Sequence, residues 1–103
     1  MKSHRLLSAR QEALAERNLV AAIQTLRSVE ECRAFLRDLC TPAELQAMAD
    51  RWAVVELLER GLRYREIHKL TGVSVTTIGR VARYLSSGSG GYRAVTERLK
   101  LDA

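Results

Sequence analysis

Between Tyr64 and Leu85 the chain sets two short amphipathic segments on either side of one glycine, and few folds accommodate that arrangement. Gly72 follows a segment with Ile67 and Leu70 at helical spacing. Lacking a Cβ, it can take the left-handed conformation that ends a helix in a tight turn. Ser74 then offers a hydroxyl to an unpaired amide of a new helix, along which Ile78, Val81, Ala82 and Leu85 recur on one face. Val73 lies between them as the plug of the turn. The pattern predicts a helix-turn-helix over about 64–85. Its second helix keeps Thr76, Arg80 and Arg83 outward, four and then three residues apart, with Val75 and Thr77 at its start. Such a face fits the major groove of a duplex. His68 stands where patterns of this kind usually carry a small residue. The plainer reading of the same residues is a helical hairpin with a solvated arginine face.

Charge favours the first reading. The chain carries a formal net charge of +5, yet residues 60–93 alone hold seven bases, Arg60, Arg63, Arg65, Lys69, Arg80, Arg83 and Arg93, against one acid, Glu66. The rest of the chain is close to neutral. The excess therefore sits in and beside the expected helix-turn-helix, as a surface that meets phosphates requires.

Upstream, the sequence punctuates itself into further helices. Thr41-Pro42-Ala43-Glu44 is a capping box with proline at the first helical position. The helix it opens carries Leu45, Met48, Ala49, Trp52, Val55 and Leu58 as its core face and stops at Gly61. A second box, Ser28 to Glu31, opens a shorter helix with Cys32, Phe35, Leu36 and Leu39 on its apolar face, ending before Pro42. Leu19, Ala22, Ile23 and Leu26 stripe an N-terminal helix from about residue 8 to residue 27. Beyond the motif, Ser86 to Gly91 reads as a flexible tether or loop, and Tyr92, Val95 and Leu99 as a short last helix. No useful length alternates with period two, so the fold class is all-α, with six helices in a single domain over residues 1–103.

Several classes of function are disfavoured. No apolar run reaches the length of a membrane span, and Met1 to Ser8 lacks the apolar stretch of a signal peptide, so the expected compartment is the cytoplasm. Cys32 and Cys40, eight residues apart, match neither a disulfide framework nor a zinc site and are expected in or near the core. The chain has only His4 and His68, no clustered carboxylates, and no nucleophile spaced with a base, so neither an enzyme nor a metal site is expected. The Gly-Ser segment does not make a phosphate cradle: no strand precedes it and no Lys-Ser or Lys-Thr pair follows. Five aromatic residues make a thin core for a chain whose N-terminal helix needs cover. A helical homodimer supplies that cover and presents two recognition helices to two half-sites. The competing structure is a monomer whose N-terminal helix folds back on its own core.

These residues resemble the Trp repressor superfamily, and within it the small YerC/YecD-type Trp-repressor-like proteins. The resemblance runs from about Ser28 to Leu99, through Phe35 to Thr41, Glu44-Leu45, Met48 to Arg51, Tyr64 to Ile67, Thr71 to Ser74, Thr77 to Val81 and Gly90 to Tyr92. It implies an intertwined all-helical homodimer that binds operator DNA, and Trp repressor is itself a standard example of that docking. It places DNA contacts on Arg65, His68, Val75, Thr76, Thr77 and Gly79. The reading from residue pattern chose Thr76 independently and adds Lys69, Ser74, Arg80 and Arg83. Arginine suits the O6 and N7 of guanine, threonine a thymine methyl or base-edge acceptor, and the remaining cations phosphates.

The resemblance also implies an effector pocket, here at Thr41, Arg51, Arg80 and Tyr84. Trp repressor clamps its ligand between two arginines, which correspond to Arg51 and Arg80. The chain departs from the pattern at Val81, where the repressor has a small residue, and at Tyr84, where it has a serine that helps hold the ligand's amine. Larger side chains there would fill the space of the indole, so L-tryptophan is not the expected corepressor, and no cofactor is expected. The function expected is a sequence-specific regulator of transcription. The alternative is a protein-interaction or scaffold module that kept the fold and lost specific DNA binding.

Overall fold

The structure is a computed structural model, described here for residues 8–99. Residues 1–7, His4 among them, and the last four residues lie outside the described part, and with them most of the stretch read above for a signal peptide. Two compact units divide between Leu39 and Cys40.

The first unit holds α1 (Ala9–Gln24) and α2 (Val29–Leu39). A box that the sequence reading passed over opens α1: the Gln11 amide donates to Ser8 Oγ at 3.2 Å, and the Ser8 amide to Gln11 Oε1 at 2.9 Å. The helix ends three residues before the expected Arg27, where the Thr25 hydroxyl donates to the Ala22 carbonyl at 2.7 Å. At α2 the Glu31 amide donates to Ser28 Oγ, as a capping box requires, but the Glu31 carboxylate reaches one residue further back and accepts from the Arg27 amide at 2.9 Å. No residue of either helix is buried. Phe35 and Leu36 are half-buried, and Cys32, expected in or near the core, is exposed.

The second unit holds α3 (Pro42–Glu59), α4 (Tyr64–Thr71), α5 (Val75–Ser87) and α6 (Gly91–Leu99). Thr41 and Glu44 form the expected box at 3.1 and 2.8 Å, with Pro42 at the first helical position. At the other end of α3, Gly61 sits at φ 84°. Its amide donates to the Leu58 carbonyl and that of Leu62 to the Leu57 carbonyl, the paired bonds of a Schellman stop. Helices α3, α4 and α5 pack on one another, and α6 packs on α5. The core they enclose is Val54, Val55, Ile67, Ile78 and Val81, each no more than 1% exposed, with Trp52, Leu57, Leu58, Leu62, Val73, Leu85 and Tyr92 around it.

Five sequence expectations are corrected. Val54 was not among the expected core residues and is fully buried, because the second half of α3 meets both α4 and α5, so more than one stripe is covered. Met48 and Ala49, on the half that extends past this core, are exposed. On α4 the core side beside Ile67 is taken by Thr71 one turn on and by Val73 past the bend, which leaves Leu70 68% exposed. Residues Ser86 and Ser87 belong to α5, each donating its hydroxyl to the Arg83 carbonyl, and Gly91 opens α6, so the link between the helices is only Gly88 to Gly90. In α6 the side chains turned inward are Tyr92 and Thr96, one turn apart, while Val95 and Leu99 are exposed. Cys40 is half-buried, its thiol 3.8 Å from the Met48 sulfur. No helix among the described residues is long and apolar enough to cross a membrane.

Candidate nucleic-acid interface

The bend at residue 72 is a helix-turn-helix elbow, built as the sequence predicts. Gly72 closes α4 in the left-handed region, φ 75° and ψ −2°, and its amide donates to the His68 carbonyl at 2.8 Å. Ser74 opens α5: its Oγ accepts from the Thr77 amide at 3.1 Å and its hydroxyl donates to Thr77 Oγ1 at 3.0 Å. Ile67 below α4, with Ile78 and Val81 below α5, seats both helices on Val54 and Val55 of α3. This seating holds the opposite face of α5 away from the body of the unit.

On that face Thr76, Arg80 and Arg83 are exposed, and Val75 is 51% exposed at the helix start. Arg65 and Lys69 are exposed on α4. The guanidinium carbons of Arg80 and Arg83 lie 5.1 and 5.4 Å from the centroid of the Tyr84 ring, within cation–π range, so one ring serves two cations. Glu66, the one acid among these bases, accepts the Arg63 amide at 2.8 Å and so caps α4. Its charge is held at a helix N-terminus, where the macrodipole favours it.

The remaining sequence-chosen contacts lie differently. Thr77 is half-buried, engaged with Ser74, and turned toward a cavity. Gly79 lies beneath the Tyr64 ring, whose Cε2 would stand 3.8 Å from a Cβ placed there, an ordinary contact distance. His68 is exposed, but its Nδ1 is 2.7 Å from the Val73 carbonyl oxygen, inside the elbow.

A cavity of about 1010 Å³ opens between α3, α5 and α6. Arg51, Arg80 and Tyr84, three of the four residues the sequence reading gave to an effector pocket, line it. Thr41 does not: it caps α3 ten residues ahead of Arg51, about 15 Å along the helix. Sequence reasoning missed Trp52, Tyr92, Val95 and Ser89 on the wall. Helical spacing assigned Trp52 wholly to the core, and in the structure it is half-buried. Its indole N–H donates to Glu56 Oε2 at 3.2 Å, and its ring centroid is 6.3 Å from that of Tyr92. Nothing in the spacing distinguishes a core tryptophan from one with a face on a cavity. Two cations against aromatic walls could hold a planar anion. No cluster of potential metal ligands occurs among the described residues.

Comparison with known proteins supports the same architecture. Residues 15–100 match the family model for Trp repressor protein. The uncharacterized protein YerC of Bacillus subtilis (strain 168) is 40% identical over 82 residues, which are 80% of this chain and 79% of that protein. Among solved structures, a TrpR-like protein from Eubacterium eligens superposes with a TM-score of 0.81 at 34% identity, over 90% of this chain and 96% of the other. A candidate Trp repressor from Staphylococcus aureus gives a TM-score of 0.81 at 35% identity, over 93% and 99%.

Proposed function

The chain belongs to the Trp repressor family, and from that membership and the geometry of the elbow we propose that it regulates transcription by binding operator DNA as a homodimer. The observation that carries this reading is α5. Anchored through Ile78 and Val81, it holds Thr76, Arg80 and Arg83 outward on a segment whose single acid is committed to a helix cap. The family's fold is regulatory and non-enzymatic. Thr76 is the candidate for base contact, and Arg65, Lys69, Arg80 and Arg83 supply cations for phosphates or guanine edges.

Support for the homodimer comes from the first unit. Neither of its helices has a buried residue, and α1 exposes Leu14, Leu19, Val20 and Ile23. A second copy would cover these side chains and set two α5 helices at half-sites about 34 Å apart. The cavity beside α5 is our candidate for a small anionic effector, with Arg51 and Arg80 as its charges. L-tryptophan is not our choice: Val81 and Tyr84 line the cavity and take up space that the indole would need. The compartment that fits this role is the cytoplasm.

The test is a titration of the protein against the DNA upstream of its own gene and against random duplexes, across a salt series. We expect the specific site to bind about a thousandfold more tightly, with affinity falling steeply as salt rises. Equal affinity for all duplexes at moderate salt would overturn the operator reading. Undiminished activity of Thr76→Ala and Arg80→Ala in cells would instead favour a protein-interaction module.

A further inference from the structure

Val73 is the single residue between the left-handed Gly72 and the helix cap Ser74, and side chains of α4 hold its backbone. Its side chain packs against the core. Its amide donates to Thr71 Oγ1 at 3.0 Å, while the Thr71 hydroxyl donates to the Ile67 carbonyl at 2.7 Å. Its carbonyl oxygen lies 2.7 Å from His68 Nδ1. Both backbone polar groups of residue 73 are therefore held by side chains of the preceding helix. Residue 73 is thus tied by side chains and not by backbone partners. Residue 68 also anchors the bend through its own carbonyl, which accepts the Gly72 amide at 2.8 Å.

The chemistry of the short contact fixes the ring. A carbonyl oxygen only accepts, so the nitrogen facing it carries the proton. In the neutral imidazole Nε2 is then left with a lone pair. That lone pair repels a phosphate oxygen and is a poor anchor for the DNA backbone. Among the described residues the ring makes no other hydrogen bond.

We propose that His68 is a positioning residue: its Nδ1–H clamps the Val73 carbonyl, locks the elbow, and so sets the direction in which α5 presents Thr76, Arg80 and Arg83. The clamp is a property of the folded chain, and only its consequence for affinity rests on the DNA-binding reading. Without it the elbow samples other bends, and apparent affinity falls in proportion to the fraction of molecules still bent for binding. One hydrogen bond's worth of bias corresponds to a loss of about three- to tenfold.

Two measurements test this. The first needs no DNA: imidazole nitrogen NMR of the wild type, recorded with the ring neutral, together with amide exchange at Val73. We expect the proton on Nδ1, and faster exchange of the Val73 amide in His68→Ala. A proton on Nε2, or unchanged exchange, overturns the clamp. The second is duplex titration of His68→Ala, His68→Asn and His68→Gln. An asparagine amide lies near the place of Nδ1, and a glutamine amide near that of Nε2. The clamp requires that His68→Ala weaken specific and random duplexes by the same factor with an unchanged salt slope, and that asparagine, not glutamine, restore binding. A loss confined to the specific site, a shallower salt slope, or rescue by glutamine alone means that the ring touches DNA and overturns the proposal. If the wild type binds no duplex, the regulator reading fails, and the first measurement still decides the clamp.

Discussion

Replacing Gly72 with alanine isolates the backbone contribution of the bend. At φ 75° and ψ −2° the residue is in the left-handed region, and a Cβ built on it meets no atom within 4 Å. The substitution therefore carries no clash, and its effect is conformational. An L-residue with a Cβ loses about 1–2 kcal/mol in that region. Alanine also has fewer unfolded conformations than glycine, which returns about 0.4–1 kcal/mol. The net expectation is a destabilisation of about 1 kcal/mol, which lowers Tm by about 4–8 °C for a domain of this size. Asparagine, whose side chain tolerates the left-handed region, should lose less than alanine. The assay is urea unfolding followed by circular dichroism at one fixed protein concentration, because the stability of the proposed dimer would depend on concentration. The slope should stay constant while the midpoint falls. Alanine as stable as glycine, or asparagine no better than alanine, would refute the requirement for a left-handed residue. A gain in helical ellipticity on Gly72→Ala would mean that α4 and α5 had fused into one rod.

Two further substitutions separate the seating of α5 from its outer face. Ile78→Ala removes a fully buried side chain and should destabilise the chain by about 2–5 kcal/mol, measured by the same unfolding curves. A value under about 1 kcal/mol would mean that α5 is not seated through this residue. Arg83→Ala removes an exposed cation and its contact with the Tyr84 ring, so stability should fall by no more than about 1 kcal/mol. The log–log salt slope of duplex binding should fall by about 1, and an unchanged slope would remove Arg83 from the set of phosphate contacts.

What could be read from sequence was whatever depends on near neighbours in the chain. Thr41 with Glu44, Gly72 before Ser74, and Ile78 with Val81 each express a local rule of capping, turn conformation or helical period, and each holds in the structure. What could not be read depends on which elements meet. Val54 is buried because two helices flank α3, and a single-stripe pattern cannot encode two neighbours. Leu70 has the right spacing and the wrong surroundings, since Val73 from beyond the bend occupies the core position. The tether was overdrawn for a different reason. Serine is a weak helix former and not a breaker: α5 runs on through Ser86 and Ser87, whose hydroxyls are satisfied by the Arg83 carbonyl. In the candidate site, the exposed arginines followed from charge and period, but the cavity wall from α6 did not, because only the packing of α6 on α5 brings Tyr92 toward Trp52.

The elbow sorts its polar side chains into two sets, and the sorting bears on which of them could contact a duplex. Ser74, Thr77, Thr71, His68 and Glu66 each hold a backbone or side-chain partner no more than five residues away along the chain. Drawing any of them to a phosphate would break a bond that shapes the turn and leave its partner unpaired, at about 1–3 kcal/mol for each group kept from water. Arg65, Lys69 and Thr76 have no such commitment in the described structure, and Arg80 and Arg83 give up only a cation–π contact worth about 0.5–1 kcal/mol at an exposed site. A charged hydrogen bond to phosphate is the stronger interaction. The energetically available DNA face is thus narrower than the ten residues that pattern and resemblance together supply. Arg80 is its one member that also lines the cavity, so any ligand seated there acts on the face through that side chain.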